Sequence, residues 1–280
     1  MSASDPPLSA VREAVARALA EDLEPLGDIT SSLLPPDRRG TAAFVARAEG
    51  VVAGKACALE TFAQVDASVT IDWKLDDGSE VGPGDEIGRV EGRLASLLTG
   101  ERTALNFLSH LSGIASLTRR FVDLAGGRCA IWDTRKTTPG LRALEKAAVR
   151  AGGGRNHRGN LSEWILLKDN HLTGMTISEA VKRARAQWPG RTVEVEADRI
   201  DQLRDAIAAD ADIVLLDNMT ADEVRACVEL RGGRARPLLE VSGGVTLANV
   251  GDYAGTGIDL ISVGALTHSA PILDIGLDVS

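Results

Sequence analysis

Between Arg135 and His171 the chain gathers eight cationic side chains: Arg135, Lys136, Arg142, Lys146, Arg150, Arg155, Arg158 and Lys168. Three acids oppose them, Glu145, Glu163 and Asp169, and two of the four histidines, His157 and His171, lie in the same stretch. The whole chain carries a net charge of −9, so a local basic island points to a site for an anionic small molecule. Two or more arginines suit planar carboxylates, because each guanidinium fork makes two parallel hydrogen bonds. Arg142, Lys146 and Arg150 recur every four residues and read as a solvated helix face. Downstream stand two carboxylates, Glu196 and Asp217. Facing a basic cluster, they can hold Mg²⁺, bind sugar hydroxyls or stabilise a cation. Ser242-Gly243-Gly244 and Gly264-Ala265 suit a monophosphate, since glycine lets backbone N–H groups approach an anion closely.

A ligand that uses all these features carries a carboxylated base, a sugar hydroxyl pair, a phosphate and a metal-bound pyrophosphate. Phosphoribosyl pyrophosphate with an acidic base meets that description. Breaking its C1–O bond leaves positive charge on the ribose, as in glycoside cleavage. Carboxylates beside the ring would stabilise that charge, and Mg²⁺ with a lysine would stabilise the departing pyrophosphate. A pyridine nitrogen is already nucleophilic, so no general base is required.

Six short apolar runs must position these residues: Cys129 to Trp132, Trp164 to Leu167, Thr192 to Val195, Ile213 to Leu216, Pro237 to Val241 and Ile258 to Val263. Each ends in polar or glycine residues, and helix-like segments separate them. Repeated strand-then-helix units imply parallel strands joined by right-handed crossovers, which can close into a barrel. All six endings then lie on one face, where barrels of this kind carry their sites, and the glycine-rich endings come last, where phosphate is often held. Six strands make an open, incomplete barrel; a doubly wound open sheet is the alternative. Upstream, residues from Leu8 to about Asp22 read as an amphipathic helix, and strand-like alternation covers Thr41 to Ala48 and Val69 to Leu75. The turn-dense stretch Asp77 to Ile87 looks like a carrier-domain hairpin without a lysine at its tip, and reads as structural. A long helix is expected from Gly100 or Glu101 to about Ala125, with Arg102 in its first turn, where an anion is favoured.

Composition excludes several classes. No apolar run approaches the roughly 20 residues that span a bilayer. The first seven residues lack a basic region followed by an apolar core, so no secretory signal is read and a cytoplasmic location is expected. The acidic balance argues against a nucleic-acid surface. Cys57, Cys129 and Cys227 are far apart and read as free thiols in a reducing compartment.

Nine strings, met in order along nearly the whole chain, resemble the quinolinate phosphoribosyltransferase family: EDLEPLGDIT (from Glu21), GERTALNFLSHLSGIA (Gly100), DTRKTTPGLR (Asp133), GGGRNHR (Gly152), LLKDNH (Leu166), VEVE (Val193), LLDNM (Leu215), EVSGGVT (Glu240) and VGALTHS (Val263). The resemblance implies an N-terminal α/β sandwich domain over residues 1–112, rejoined by the tail 269–280, and an open parallel α/β barrel over 113–268. It implies conversion of quinolinate and phosphoribosyl pyrophosphate to nicotinate mononucleotide, pyrophosphate and CO₂ in NAD biosynthesis. It also implies Mg²⁺, and a homodimer, itself open to further assembly into a hexamer, whose subunits share active sites. By motif, Arg102 looks like the arginine lent across the dimer to the substrate carboxylate. Thr134, Arg135, His157, Arg158 and Lys168 look like the base-binding set, and Lys136 like the lysine that meets both substrates. Glu196 and Asp217 look like the pair near ribose and metal. Ser242, Gly243, Gly244, Val263, Gly264 and Ala265 look like the phosphate cradle, with His268 nearby.

The chain departs from the family at Ala147, where an aromatic is usual, and across Gly159 to Glu163. Both departures are expected to flank the base pocket and leave room for a different pyridine carboxylate. Two other classes compete: a Schiff-base aldolase using Lys136 or Lys168, and a non-catalytic phosphosugar binder. The carboxylate pair opposite the cations argues against the binder.

Overall fold

A computed structural model describes residues 5–279. Residues 1–4, on which part of the signal-peptide expectation rests, lie outside the described residues. The chain forms two compact units. The first holds the described residues through Arg119, then Lys136–Gly153, and the chain from Ala265 on; the second holds Arg120–Arg135 and Gly154–Gly264.

In the first unit, α1 (Leu8–Leu23) buries Val11, Ala14, Val15 and Leu19, the i, i+3/i+4 stripe the sequence predicts. It is followed by β1 (Arg39–Ala46), β2 (Gly50–Val51), α2 (Lys55–Val65), β3 (Thr70–Trp73), β4 (Glu80–Val81), β5 (Glu86–Arg93) and α3 (Leu94–Ala125), whose residues from Arg120 on are assigned to the second unit. Strands β1, β3 and β5 form an antiparallel sheet that the last strand, β12 (Ile275–Val279), completes by pairing with β1. Helix and sheet faces meet in a core that includes Phe44, Phe62, Ile87, Leu97 and Leu108. Burying each of these side chains contributes roughly 1.5–3 kcal/mol. The tail approaches α3 so closely that a Cβ on Gly113 would sit 2.0 Å from the Pro271 carbonyl oxygen, so that position admits only glycine.

The long helix starts at Leu94, not near Gly100 as expected. Its first turns carry Leu94, Leu97 and Ser96 into buried positions, a continuation of the apolar stripe that Thr99-Gly100 does not interrupt. Arg102 therefore lies in the third turn, where unpaired helix N–H groups no longer help to bind an anion.

The second unit is built on six parallel strands: β6 (Ala130–Trp132), β7 (Ile165–Leu167), β8 (Val193–Ala197), β9 (Ile213–Asp217), β10 (Leu238–Ser242) and β11 (Leu260–Ser262). Along the chain, α4 (Arg142–Ala151), α5 (Ile177–Gln187), α6 (Ile200–Ala208), α7 (Ala221–Arg231) and α8 (Val250–Ala254) alternate with them, and α9 (Ala265–His268) follows β11. Of these helices, α4 and α9 belong to the first unit. The hydrogen-bonded order is β6-β11-β10-β9-β8-β7. From β7 to β11 each strand neighbours its successor, and β6 neighbours the last, so the order is that of a barrel left open between β6 and β7. In place of β7, the edge of β6 pairs with Arg155, whose N–H donates to the Ile131 carbonyl and whose carbonyl accepts from Asp133 N–H. Strand β9 is buried from Ile213 through Leu216, the continuous apolar run of a strand covered on both faces. Among the described residues, no helix is long and apolar enough to cross a membrane.

Candidate active site

Strand register sets the site of the second unit. Trp132, Ser262, Ser242 and Asp217 stand at one level on β6, β11, β10 and β9. Glu196 pairs with Leu215, and Leu167 with Val195, so Lys168 falls beside Glu196. The strands are parallel, so their C-terminal ends open at one mouth, and Arg135, Lys168, Glu196, Asp217, Ser242, Gly243 and Gly264 follow or occupy those ends.

At the mouth the Lys168 ammonium forms a direct ion pair with Glu196. The Lys168 side chain is 43% exposed and that of Glu196 14%. Asp217 is half-buried and accepts a hydrogen bond from Asn218 Nδ2 at 2.8 Å. Arg158 is 8% exposed, and its Nη1 donates to the Trp164 carbonyl at 3.0 Å. Burial first, and then the neighbouring Arg135 guanidinium, hold its pKa below the usual arginine value. Two guanidinium groups kept close in a poorly hydrated place cost free energy that an anion with two carboxylates would offset.

The phosphate-type endings are built from backbone. Gly243 adopts φ +91° and Gly244 φ +64°, conformations that side chains resist. A Cβ on Gly243 would meet Asn218 Oδ1 at 2.2 Å. Asn218 is itself left-handed, at φ +55°, and donates its N–H to the Ser242 carbonyl at 2.9 Å. The next turn is closed by Asn249, which accepts from Thr246 N–H and donates to the Gly244 carbonyl. Val263 is buried and its N–H donates to the Trp132 carbonyl.

Beside the mouth lies a buried polar group. Asp133 is fully buried; it accepts from Asn156 Nδ2 at 2.6 Å and from His157 N–H at 2.9 Å, and so fixes the NHR segment. The His157 ring points inward, with Nε2 3.3 Å from Glu194 Oε2 and 3.6 Å from Glu240 Oε2. Both glutamates are fully buried. Glu194 also accepts from the Trp164 indole N–H at 2.7 Å, and Glu240 is hydrogen-bonded by Ser262. Burial, and then the Glu194 carboxylate, push the Glu240 carboxyl well above its ordinary range. Their trace in the sequence is a glutamate inside each of the apolar runs VEVE and LLEVS, a pattern that an exposed glutamate would share. Asn156 and Trp164 carried no comparable mark.

Three further residues of the expected set belong to the first unit. Arg102 is exposed on α3. Lys136 is exposed, and its carbonyl accepts from Thr267 Oγ1 at 2.7 Å. Ala265 opens α9. Thr134, half-buried, sits between Asp133 and Arg135 in the second unit. His268 is exposed and hydrogen-bonded to Ser269.

Two expectations are corrected. Lys146 is 6% exposed, and Arg150 is half-buried and donates to the Asp5 and Lys146 carbonyls, so α4 does not show water a basic face. Ala147 is buried in the first unit around a small cavity with Pro6, Cys57 and Leu111, so that departure from the family is a packing change. The second departure is closed on itself: Glu163 accepts from Gly159 N–H and Asn160 Nδ2. All three cysteines are free. Burial pushes the Cys57 thiol up to about 12 and that of Cys129 to about 11.

Residues 28–112 match the model of the quinolinate phosphoribosyl transferase N-terminal domain, and residues 114–278 that of its C-terminal domain. A nicotinate-nucleotide pyrophosphorylase (carboxylating) of Mycobacterium leprae is 43% identical, with 99% of each chain covered. A quinolinate phosphoribosyltransferase (decarboxylating) of Nicotiana glauca is 37% identical over 96% of this chain and 82% of its own. The solved structure of the nicotinate-nucleotide pyrophosphorylase from Francisella tularensis superposes with a TM-score of 0.94 at 38% identity, covering 100% of this chain and 99% of that one.

Proposed function

We propose that this chain, which belongs to the quinolinate phosphoribosyl transferase family, converts quinolinate and phosphoribosyl pyrophosphate to nicotinate mononucleotide, pyrophosphate and CO₂ in NAD biosynthesis. The observation that carries the reading is the crowding of Arg135 and Arg158 at a mouth that also presents Glu196, Asp217 and a glycine cradle. A pyridine dicarboxylate supplies one anionic group for each of those two arginines. His157, Thr134 and Lys168 complete the base-binding set, and Lys136 and Arg102 take the roles that the family motifs give them.

The ring nitrogen attacks C1 of the ribose as the C1–O bond to pyrophosphate breaks. Asp217 and Glu196 face the positive charge that grows on the sugar and stabilise it electrostatically. Lys168, paired with Glu196 in the free protein, can turn to an incoming anion, because a lysine ammonium on a flexible stem re-pairs easily. Ser242, Gly243, Gly244 and Gly264 line the cradle for the 5-phosphate, where glycine lets backbone N–H groups approach the anion. Once the nitrogen is quaternary, the ring accepts the electron pair left by the 2-carboxylate as CO₂ departs, and that carbon then takes a proton.

Mg²⁺ fits the mouth. Glu196 and Asp217 are hard oxygen donors on adjacent strands, and Mg²⁺ is commonly held by one or two carboxylates together with substrate phosphates. The enclosed His157, Glu194 and Glu240 group does not fit an ion that keeps several waters, since its carboxylates already accept from Trp164 and Ser262. When bound, the ion would neutralise charge on the departing pyrophosphate.

A homodimer with shared active sites goes with this reading. Leu26, Ile29 and Leu33 are strongly exposed, on a stretch that Asp28 ties to Thr99, three residues before Arg102. An apolar patch beside an exposed arginine suits an interface that lends that arginine to a neighbour. Three free thiols suit a reducing cytoplasm.

The test is to mix the purified protein with Mg²⁺, phosphoribosyl pyrophosphate and quinolinate labelled in its 2-carboxyl. Release of ¹⁴CO₂ together with pyrophosphate is expected. Pyrophosphate release with another pyridine carboxylate but not with quinolinate would move the substrate and keep the reaction class.

A further inference from the structure

We infer that Glu194 is a positioning residue for base recognition, holding Arg158 through Trp164 and fixing the His157 ring directly. The inference rests on the reading above only in naming the base.

Glu194 is fully buried between Val193 and Val195, themselves without exposure. A carboxylate there costs desolvation, and an apolar side chain of similar volume is often no less stable in such a place. What the carboxylate supplies is geometry. Its Oε2 accepts from Trp164 Nε1 at 2.7 Å, and an indole nitrogen can only donate. The indole is thereby pinned. The same oxygen lies 3.3 Å from His157 Nε2, and the His157 ring packs against Trp164 at 4.8 Å between centroids and edge-on to Trp132 at 5.9 Å. The backbone of the pinned tryptophan then does the second task, since the Trp164 carbonyl accepts from Arg158 Nη1 at 3.0 Å. One oxygen thus sets the ring of residue 157, the ring of residue 164 and, through the latter, the guanidinium of residue 158. Glu240 also stands against the ring, with its Oε2 3.6 Å from His157 Nε2. A guanidinium displaced by an ångström makes one hydrogen bond to a carboxylate instead of two, so Glu194 tunes base affinity without touching the base.

The test compares Glu194→Leu with Glu194→Gln. Glu194→Leu removes both acceptor oxygens, whereas Glu194→Gln keeps one for the indole. For Glu194→Leu, the KM for quinolinate is expected to rise about tenfold or more, the equivalent of one lost hydrogen bond to a charged group. The KM for phosphoribosyl pyrophosphate and the kcat at saturating base should stay near wild type, and Glu194→Gln should recover most of the loss. A folded Glu194→Leu protein with unchanged quinolinate KM, or with both KM values raised alike, overturns the inference. Should that variant fail to fold, Trp164→Phe removes the Nε1 donor together with part of the ring, and the same split is expected and the same outcomes overturn it. A crystal structure of whichever variant folds gives a readout free of any substrate. Loss of the Arg158–Trp164 contact supports the inference, and residues 157, 158 and 164 left in place overturn it, even if the wild type proves inactive on quinolinate and the functional reading falls.

Discussion

Glu194 and Glu196 stand two residues apart on β8, where alternate side chains share a face, yet their surroundings differ. Glu194 is sealed in the barrel among an indole, an imidazole and the carboxyl of Glu240. Glu196 lies at the mouth against a lysine whose side chain is 43% exposed. Depth along one strand separates a carboxylate that keeps shape from one that can exchange its partner for a ligand. A fixed donor set in a low-dielectric interior is strong and inflexible, whereas an ion pair open to water is weak enough to be given up.

That division can be broken at several points. Asp217→Asn, at the mouth, is expected to lower kcat on the order of 10²-fold, the scale of one lost electrostatic contact to a transition state. Quinolinate affinity and Tm should hold, and an unchanged kcat in steady-state kinetics would remove Asp217 from the chemistry. Gly243→Ala sharpens the division, because there the backbone serves both depths. Its φ of +91° and the contact with Asn218 predict a loss of about 1–3 kcal/mol in denaturant unfolding, together with a raised KM for phosphoribosyl pyrophosphate.

Glu240→Gln probes the interior. The folded-state pKa of Glu240 is raised above its ordinary value of 4.5, so the folded protein holds a proton that the unfolded chain releases. That contribution is fully present below about pH 4.5 and is lost as pH rises through the folded pKa. Wild-type stability should therefore fall with rising pH above about 4.5, and the glutamine variant should show a flatter Tm profile over the same range. Equal slopes would mean that the proton is not held there. Thr220→Ala, at the start of α7, removes a helix cap that accepts from Glu223 N–H. Its expected cost is about 1 kcal/mol, seen as a lower Tm.

The six apolar runs were legible because parallel strands are buried on both faces and leave unbroken hydrophobic stretches, and their polar endings marked the mouth directly. The charged residues at those endings were legible for the same reason. The interior layer was harder. Glu194 and Glu240 sit inside runs that signal strand, and nothing in the spacing tells an inward-facing buried glutamate from an ordinary exposed one. Trp164 looked like core, and only its position beside the Arg158 loop gives it a second task. Lys146 was misjudged because a four-residue charge repeat is the usual mark of a wet helix face. Its burial is decided by long-range packing in the first unit, which local periodicity does not report. The early start of α3 was missed because Thr99-Gly100 resembles a helix boundary, and one glycine costs only about 1 kcal/mol within a long helix.

The pairing of β1 with β12 joins Ala42 to Val279, across nearly the whole length of the chain. Synthesis makes β1 early, and its outer edge has no neighbour until more than two hundred residues later. Until then residues 42–46 offer a bare row of amide donors and carbonyl acceptors, the kind of template that recruits an identical strand from another molecule. Proteolytic loss of the final few residues would restore that row in the mature protein. Trimming within the first unit would then show itself first as clumping and only afterwards as lost turnover.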